Sequence, residues 1–405
     1  MNASEPVRPE HFQPDDREVQ KDPYAFYPVL RELRPVLKST FGDRPCWILS
    51  RREDIAKAYA DPATFSSRTT PIPNMLFSDP PEQGRLRKMV ADMFTRPAVQ
   101  SMGPHISRKA AELVDALLIA GTCDIVSDFA GPLTVTMIGL MLGIPVLQVE
   151  KLREMTKLHL EFVLAKRLGR EPSAAAITAT EGLDDFVLGL IRSGNYEKGS
   201  VVARLAEFLQ RGELSEEECT QFVVLLLIAG HTTTSNLISS AIYMIAQRPA
   251  DLDRLNSDQA FVTPFIEEVL RTRPSFHRNT RVTTREVEVA GEMIPAGSLV
   301  VLLIASANRD PAFFEDAETF DPDKKRRHNF SFGHGIHTCM GNWLARLEAA
   351  TAVETFAHRV GKVALLPERP VLALSGGTFN EFGFESLPLQ VIARAHPPTM
   401  ETQRT

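Results

Sequence analysis

Apolar positions recur at three- and four-residue spacing through most of the chain, the signature of helices that each bury one stripe. The segment RKAAELVDALLIAG (108–121) carries this period and closes on glycine, a common helix stop. The longest such stretch runs from Glu216 to Gln247, with acids crowding its start, as a helix dipole favours, and Pro249 beyond its end. It is apolar nearly all round and predicts a buried central helix of about 45 Å at ~1.5 Å per residue. Its longest apolar run, roughly Phe222 to Gly230, is well short of the ~18 residues that span a bilayer. Strand-like text is sparse: CWILS (46–50), SLPLQVIA (386–393), and a stretch over 285–308 that alternates, turns at AGEMIPAG and runs on in Val and Leu as a hairpin or small sheet. The pattern therefore predicts a mainly α protein with small β-sheets. No Gly/Ser linker and no repeat divides it. One domain over 23–395 is expected, between loose polar tails at 1–22 and 396–405.

Composition adds exclusions. With 405 residues, 43% apolar and 24% charged, global disorder and a disulfide scaffold are out. A net charge of −6 argues against a nucleic-acid binder. Cys46, Cys123, Cys219 and Cys339 lie far apart with no CxxC pair, so free thiols in a reducing compartment are expected. The polar first residues hold no apolar signal core, so a cytoplasmic protein without a membrane anchor is expected.

The sharpest chemical signal is HNFSFGHGIHTCMGNWLARLEAATAVETF (328–356), a glycine-bent loop that delivers Cys339 to the start of a helical pattern. A helix N-terminus and inward N–H groups stabilise a thiolate, and a single thiolate on a rigid loop suits a haem iron. On the residues alone two other readings stand: a turn holding a buried free cysteine, and a metal site from His334, His337 and Cys339, although zinc prefers paired spacing. The segment FGHGIHTCMG resembles the haem-binding signature FxxGxxxCxG of the cytochrome P450 superfamily, matched at Phe332, Gly335, Cys339 and Gly341. The resemblance implies the P450 fold with its long helix over haem b (iron protoporphyrin IX), Cys339 as the iron ligand, Phe332 packed near the sulfur and His337 on a propionate.

Other pieces follow in that family's order. Glu268 and Arg271 form an ExxR whose members share a helix face, resembling the family's structural Glu–Arg pair, with Arg309 or a residue near FDPDK (320–324) as its third member. Arg281 and Arg87 resemble propionate-binding residues, and two guanidinium groups suit two carboxylates. Gln83 stands where His is usual, and a Gln amide still donates a hydrogen bond. In AGHTTT (229–234), Thr233 matches the oxygen-activating threonine of the family, while Thr232 stands where an acid is usual. That departure leaves the proton path open.

The resemblance places substrate contacts at Leu226, Ala229 and Gly230 on the central helix, at Phe276 and His277 after the ExxR, and near Phe382 in the tail loop. Phe276 would narrow the space over the haem, and Arg278 is a candidate anchor for an anionic substrate. It implies a soluble bacterial-type monooxygenase acting on an apolar small molecule as a monomer. No flavin or dinucleotide fingerprint is present, so electrons are expected from an external ferredoxin or flavodoxin-type donor with its reductase. The basic run KKRRH (324–328) is a candidate steering patch for it. Thr232 keeps open a peroxide-driven or non-oxygenating haem-thiolate enzyme, and a non-catalytic haem-binding protein is the rival from a different class.

Overall fold

A computed structural model describes residues 8–326, 328–375 and 381–395. The central helix runs Glu216–Gln247, the extent the pattern predicts, because both ends are chemically marked. At its start Ser215 and Glu218 form a capping box: the Ser215 hydroxyl accepts from the Glu218 N–H at 3.0 Å, and the Glu218 carboxylate accepts from the Ser215 N–H at 2.9 Å. At its end comes Pro249, which opens the next helix, Pro249–Ser257. Its composition and length would allow it to cross a membrane, yet 67% of the relevant window is buried inside the protein. It is a core helix, and the helices Gly131–Leu142, Ala174–Ser193, Gln259–Thr272 and Asn342–Arg359 pack around it. The helix predicted at 108–121 is observed as Gly103–Ala120, extended upstream by Pro104 in its first turn and stopped by Gly121 in the left-handed conformation.

The β structure is a minority, as expected. The largest sheet has five strands in the order Val36–Phe41, Arg44–Leu49, Leu299–Leu302, Asn279–Thr283, Phe65–Ser66. All four residues of Leu299–Leu302 are buried, as a continuous apolar run flanked on both edges demands. This refines the expected hairpin: only Val287–Val289 and Glu292–Ile294 pair with each other, while Leu299–Leu302 joins the larger sheet and Ile304–Ala307 is helical. Pro388–Ala393 forms the predicted C-terminal strand and pairs with Thr122–Asp124 and Val360–Leu365.

The loose N-terminal tail expected to residue 22 is corrected over its described part. Phe12 and Val19 are buried beside Phe26, Tyr27 and Leu30, and Ser39 donates to the Phe12 carbonyl at 2.7 Å. Two apolar side chains among polar neighbours suffice to dock the segment once a sheet edge lies beside it. Residues 1–7 and 396–405 lie outside the described residues.

Candidate functional site

The cysteine loop is hung from the helix before it. Ser331 donates to the Leu270 carbonyl at 2.6 Å and accepts from Asn308 at 2.9 Å, and Asn308 in turn accepts from the Phe330 N–H at 2.7 Å. Within the loop the Cys339 N–H donates to the Phe332 carbonyl at 2.8 Å, and Asn342, first residue of the helix Asn342–Arg359, donates to the Cys339 carbonyl at 2.8 Å. Gly335 has φ +72°, and a Cβ there would stand 2.8 Å from the Tyr59 carbonyl oxygen, so only glycine fits the bend.

Of the four cysteines, Cys339 alone is exposed, and it lines an interior cavity. Burial from bulk solvent pushes its thiol pKa up; the Gly341 N–H and the Arg87 and Arg346 guanidinium groups pull it down. Cys46, Cys123 and Cys219 are buried with pKa values pushed up to about 12 by desolvation. Among the described residues no group of three or more His, Cys, Asp or Glu can hold a metal ion. The alternative site from His334, His337 and Cys339 is thereby set aside.

The same cavity is walled by the central helix through Leu226, Ala229, Gly230 and Thr233, and by Phe276. Thr233 bonds back to the Ala229 carbonyl at 2.9 Å. A Cβ on Gly230 would lie 2.3 Å from Ile138 Cδ1, so the glycine lets a second helix approach at this turn. Thr232 points elsewhere: its hydroxyl lies 3.1 Å from the Ile228 carbonyl and 3.0 Å from Glu381 Oε1. Two expected cavity residues are corrected. His277 is buried, bonded through its ring nitrogens to the Tyr24 and Tyr27 hydroxyls at 2.9 Å each, and stacked on Phe382 at 3.5 Å between centroids. Burial holds the His277 pKa well below its usual range. His277 and Phe382 support the wall from behind. Arg278 is likewise withdrawn, donating to the Pro14 carbonyl.

Three cationic or cationisable side chains converge by the cysteine loop. Arg87 lines the cavity, and no hydrogen bond or ion pair engages it among the described residues. Arg281 is 8% exposed, donates only to the adjacent Thr280 carbonyl and lies over the Tyr59 ring. His337 lines the cavity with Nε2 buried and unpartnered; burial, then Arg281, pushes its pKa down to about 4. A buried cluster of this kind is incomplete without an anion.

A family model described as Cytochrome P450 matches residues 195–359. Cyclomarin C epoxidase CymV of Salinispora arenicola is 35% identical over 364 residues, covering 85% of this chain and 88% of the relative. Biotin biosynthesis cytochrome P450 of Bacillus subtilis is 31% identical, covering 86% and 91%. The chain belongs to the cytochrome P450 family. Among solved structures, CYP109E1 from Bacillus megaterium in complex with testosterone superimposes with a TM-score of 0.83 at 28% identity, covering 93% of this chain and 99% of that one. As in this family, the P450 described here binds haem b and is a monooxygenase of the bacterial type. The fit is visible in its own residues: an accessible sulfur with an N–H aimed at it, and an incomplete cationic cluster beside it.

The P450's Glu–Arg pair is built into the core. Arg271 and Glu268 are each 1% exposed, with Arg271 Nε and Nη2 on the two carboxylate oxygens at 2.8 and 2.7 Å. The third member is Arg326, whose Nη2 lies 3.3 Å from Glu268 Oε1; Arg309 instead pairs with Glu318. This also corrects the basic run: Lys324 pairs with Asp316 and Arg326 turns inward, which leaves Lys325 exposed, while Arg327 lies outside the described residues. Gln83 is 3% exposed and donates to the Ile336 carbonyl at 2.9 Å, so it braces the cysteine loop and does not line the cavity. Glu381, which also lines the cavity, has no motif around it in the sequence and lies one residue before Phe382.

Proposed function

We propose that this P450 inserts one oxygen atom of O2 into an apolar small molecule of secondary metabolism, with electrons from an external ferredoxin- or flavodoxin-type donor and its reductase. In this reading Cys339 ligates the haem iron, and Arg87, Arg281 and His337 hold the propionates. The observation that carries the reading is one accessible thiol, bonded by the Gly341 N–H, on the cavity that Ala229 and Thr233 also line. Bound haem supplies the O–O cleavage and oxygen-transfer chemistry that a thiolate ligand favours.

The chain's own residues do the rest. The Gly341 N–H and the helix N-terminus beyond it stabilise negative charge on Sγ. Phe332, held under the Arg346 guanidinium at 4.4 Å, shields the sulfur from water. Leu226, Gly230 and Phe276 bind and orient an apolar substrate, and Phe276 narrows the space. Ser275 donates to the Thr233 carbonyl at 2.7 Å and so fixes the turn that presents the Thr233 hydroxyl to the cavity. Relatives support the substrate class: one is an epoxidase of cyclomarin C, another is a vitamin D3 dihydroxylase, and one structural neighbour holds erythromycin B.

The test is a screen of apolar compounds read as a spin-state shift in the haem spectrum. Turnover of the hits follows under labelled O2 with reduced ferredoxin. Label in the product at one atom per two electrons is expected. Product formed with peroxide but never with ferredoxin and O2 would overturn the donor assignment.

A further inference from the structure

Glu381 is an acid on the cavity wall that no motif announces. It is 7% exposed and lines the cavity. Its backbone pairs in an isolated bridge with Phe276, and the next residue, Phe382, donates its N–H to the Ser275 carbonyl at 2.8 Å. Ser275 is the residue that holds Thr233, so the acid is stitched to the turn of the central helix facing Cys339.

The hydrogens available around its carboxyl favour the protonated form. Thr232 Oγ1 lies 3.1 Å from the Ile228 carbonyl and 3.0 Å from Glu381 Oε1, and a hydroxyl carries one hydrogen. An ionised Glu381 would leave two acceptors competing for that hydrogen. A protonated Glu381 donates from Oε1 to Thr232, Thr232 donates to Ile228, and the competition for one hydrogen is relieved. Burial also pushes the Glu381 pKa up, and the Thr232 hydroxyl is the one influence opposing it. No charged group on the elements packed nearby acts on the Glu381 carboxyl. His277 is neutral between two tyrosines, and Arg273 lies over the Tyr243 and Phe384 rings at 4.9 and 5.5 Å.

We propose that Glu381 is a protonated carboxylic acid that serves the cavity as a proton donor, supplying from the start of the strand Phe382–Ser386 the acid that position 232 lacks. This rests on the oxygen-inserting reading. Inserting one oxygen atom and reducing the other to water consumes two protons along with the donor's electron pair. Glu381 releases one of them through the Thr232–Thr233 turn. As it ionises, the Thr232 hydroxyl swings from Ile228 to Oε1 and stabilises the carboxylate. The proton returns from solvent along the same helix face, where Asn236 and Ser239 follow Thr232 at i+4 and i+7. Among the described residues Asn236 Nδ2 and Ser239 Oγ are both buried without partners, the condition in which polar groups take bridging water.

Two measurements test this on the holoenzyme. In infrared spectra with hydrogen–deuterium exchange, the wild type should show a protonated carboxyl band that Glu381→Gln loses. The band of Glu348, buried and also pushed up, should remain in both as an internal reference. Absence of a Glu381 band in the wild type overturns the proposal, whatever the enzyme's reaction. In turnover with ferredoxin and O2, Glu381→Gln should slow product formation by about 100-fold, the low end for acid–base assistance, and divert electrons to peroxide. Thr232→Asp in the Glu381→Gln background should recover coupling, which a purely structural Glu381 would not allow. Unchanged coupling in Glu381→Gln overturns the donor role. A wild type that makes no oxygenated product under any donor refutes the oxygen-inserting reading instead.

Discussion

Arg271→Ala removes the most heavily bonded side chain of the core. The guanidinium donates to both oxygens of Glu268 and to the carbonyls of Asn308, Ala317 and Thr319, at distances from 2.6 to 3.0 Å. After truncation the Glu268 carboxylate stays buried with only the Asp321 N–H at 2.9 Å and Arg326 at 3.3 Å. Breaking a buried pair on one side costs about 3–5 kcal/mol, and each stranded carbonyl adds roughly 1 kcal/mol. The total, roughly 6–8 kcal/mol, is comparable with the about 5–15 kcal/mol that holds a whole domain together. Arg271→Ala should therefore yield almost no haem-loaded protein, measured as Soret absorbance per mole of chain. Arg271→Lys keeps the charge but loses the planar fork and should fall between it and the wild type. Arg326→Ala should cost least, about 1 kcal/mol, because its contact is longer and its side chain is 11% exposed. An Arg271→Ala protein that loads haem normally and keeps the wild-type urea midpoint would refute this account of the core.

Cys339→His should abolish the carbonmonoxy-ferrous Soret band typical of thiolate ligation, whereas alanine at Cys46, Cys123 or Cys219 should keep it; a spectrum of each reduced, CO-treated variant decides. Gly335→Ala forces a side chain into a left-handed residue and against the Tyr59 carbonyl; it should destabilise by about 1–3 kcal/mol and raise the rate of haem loss to an apo-globin acceptor. His159, 4% exposed, has its pKa lowered to about 4 by burial. Between about pH 6.5 and 4 the unfolded chain binds a proton there that the folded chain refuses, so stability falls as pH falls, by about 3 kcal/mol at the lower end. His159→Gln should lessen that dependence, which His277 and His337 share, in urea midpoints taken across the window, and an unchanged slope would contradict it.

The sequence by itself determined those features whose physics is local. A 32-residue helix from Glu216 to Gln247 is legible because the capping acids, the apolar run and the following proline all act within a turn or two of the chain. The cysteine loop is legible because one bend, one thiol and one helix start must occur at set spacing. ExxR is legible as a pair because i and i+3 share a helix face. Tertiary structure decided what these local pieces meet. Arg326 rather than Arg309 completes the Glu268 network because the loop carrying it folds back over the helix. His277, adjacent to a cavity residue, faces the opposite way in the strand-like segment and is claimed by two tyrosines from the N-terminal region. Residues 8–22 are docked where polarity alone suggests a loose tail because Phe12 and Val19 are buried beside Phe26, Tyr27 and Leu30. Glu381 shows the limit most plainly. A carboxylate's chemistry is set by its solvation and its partners, and its partner Thr232 is 149 residues away in sequence. No spacing rule reaches that far, whereas the fold brings the two oxygens to 3.0 Å and buries the Glu381 side of the contact.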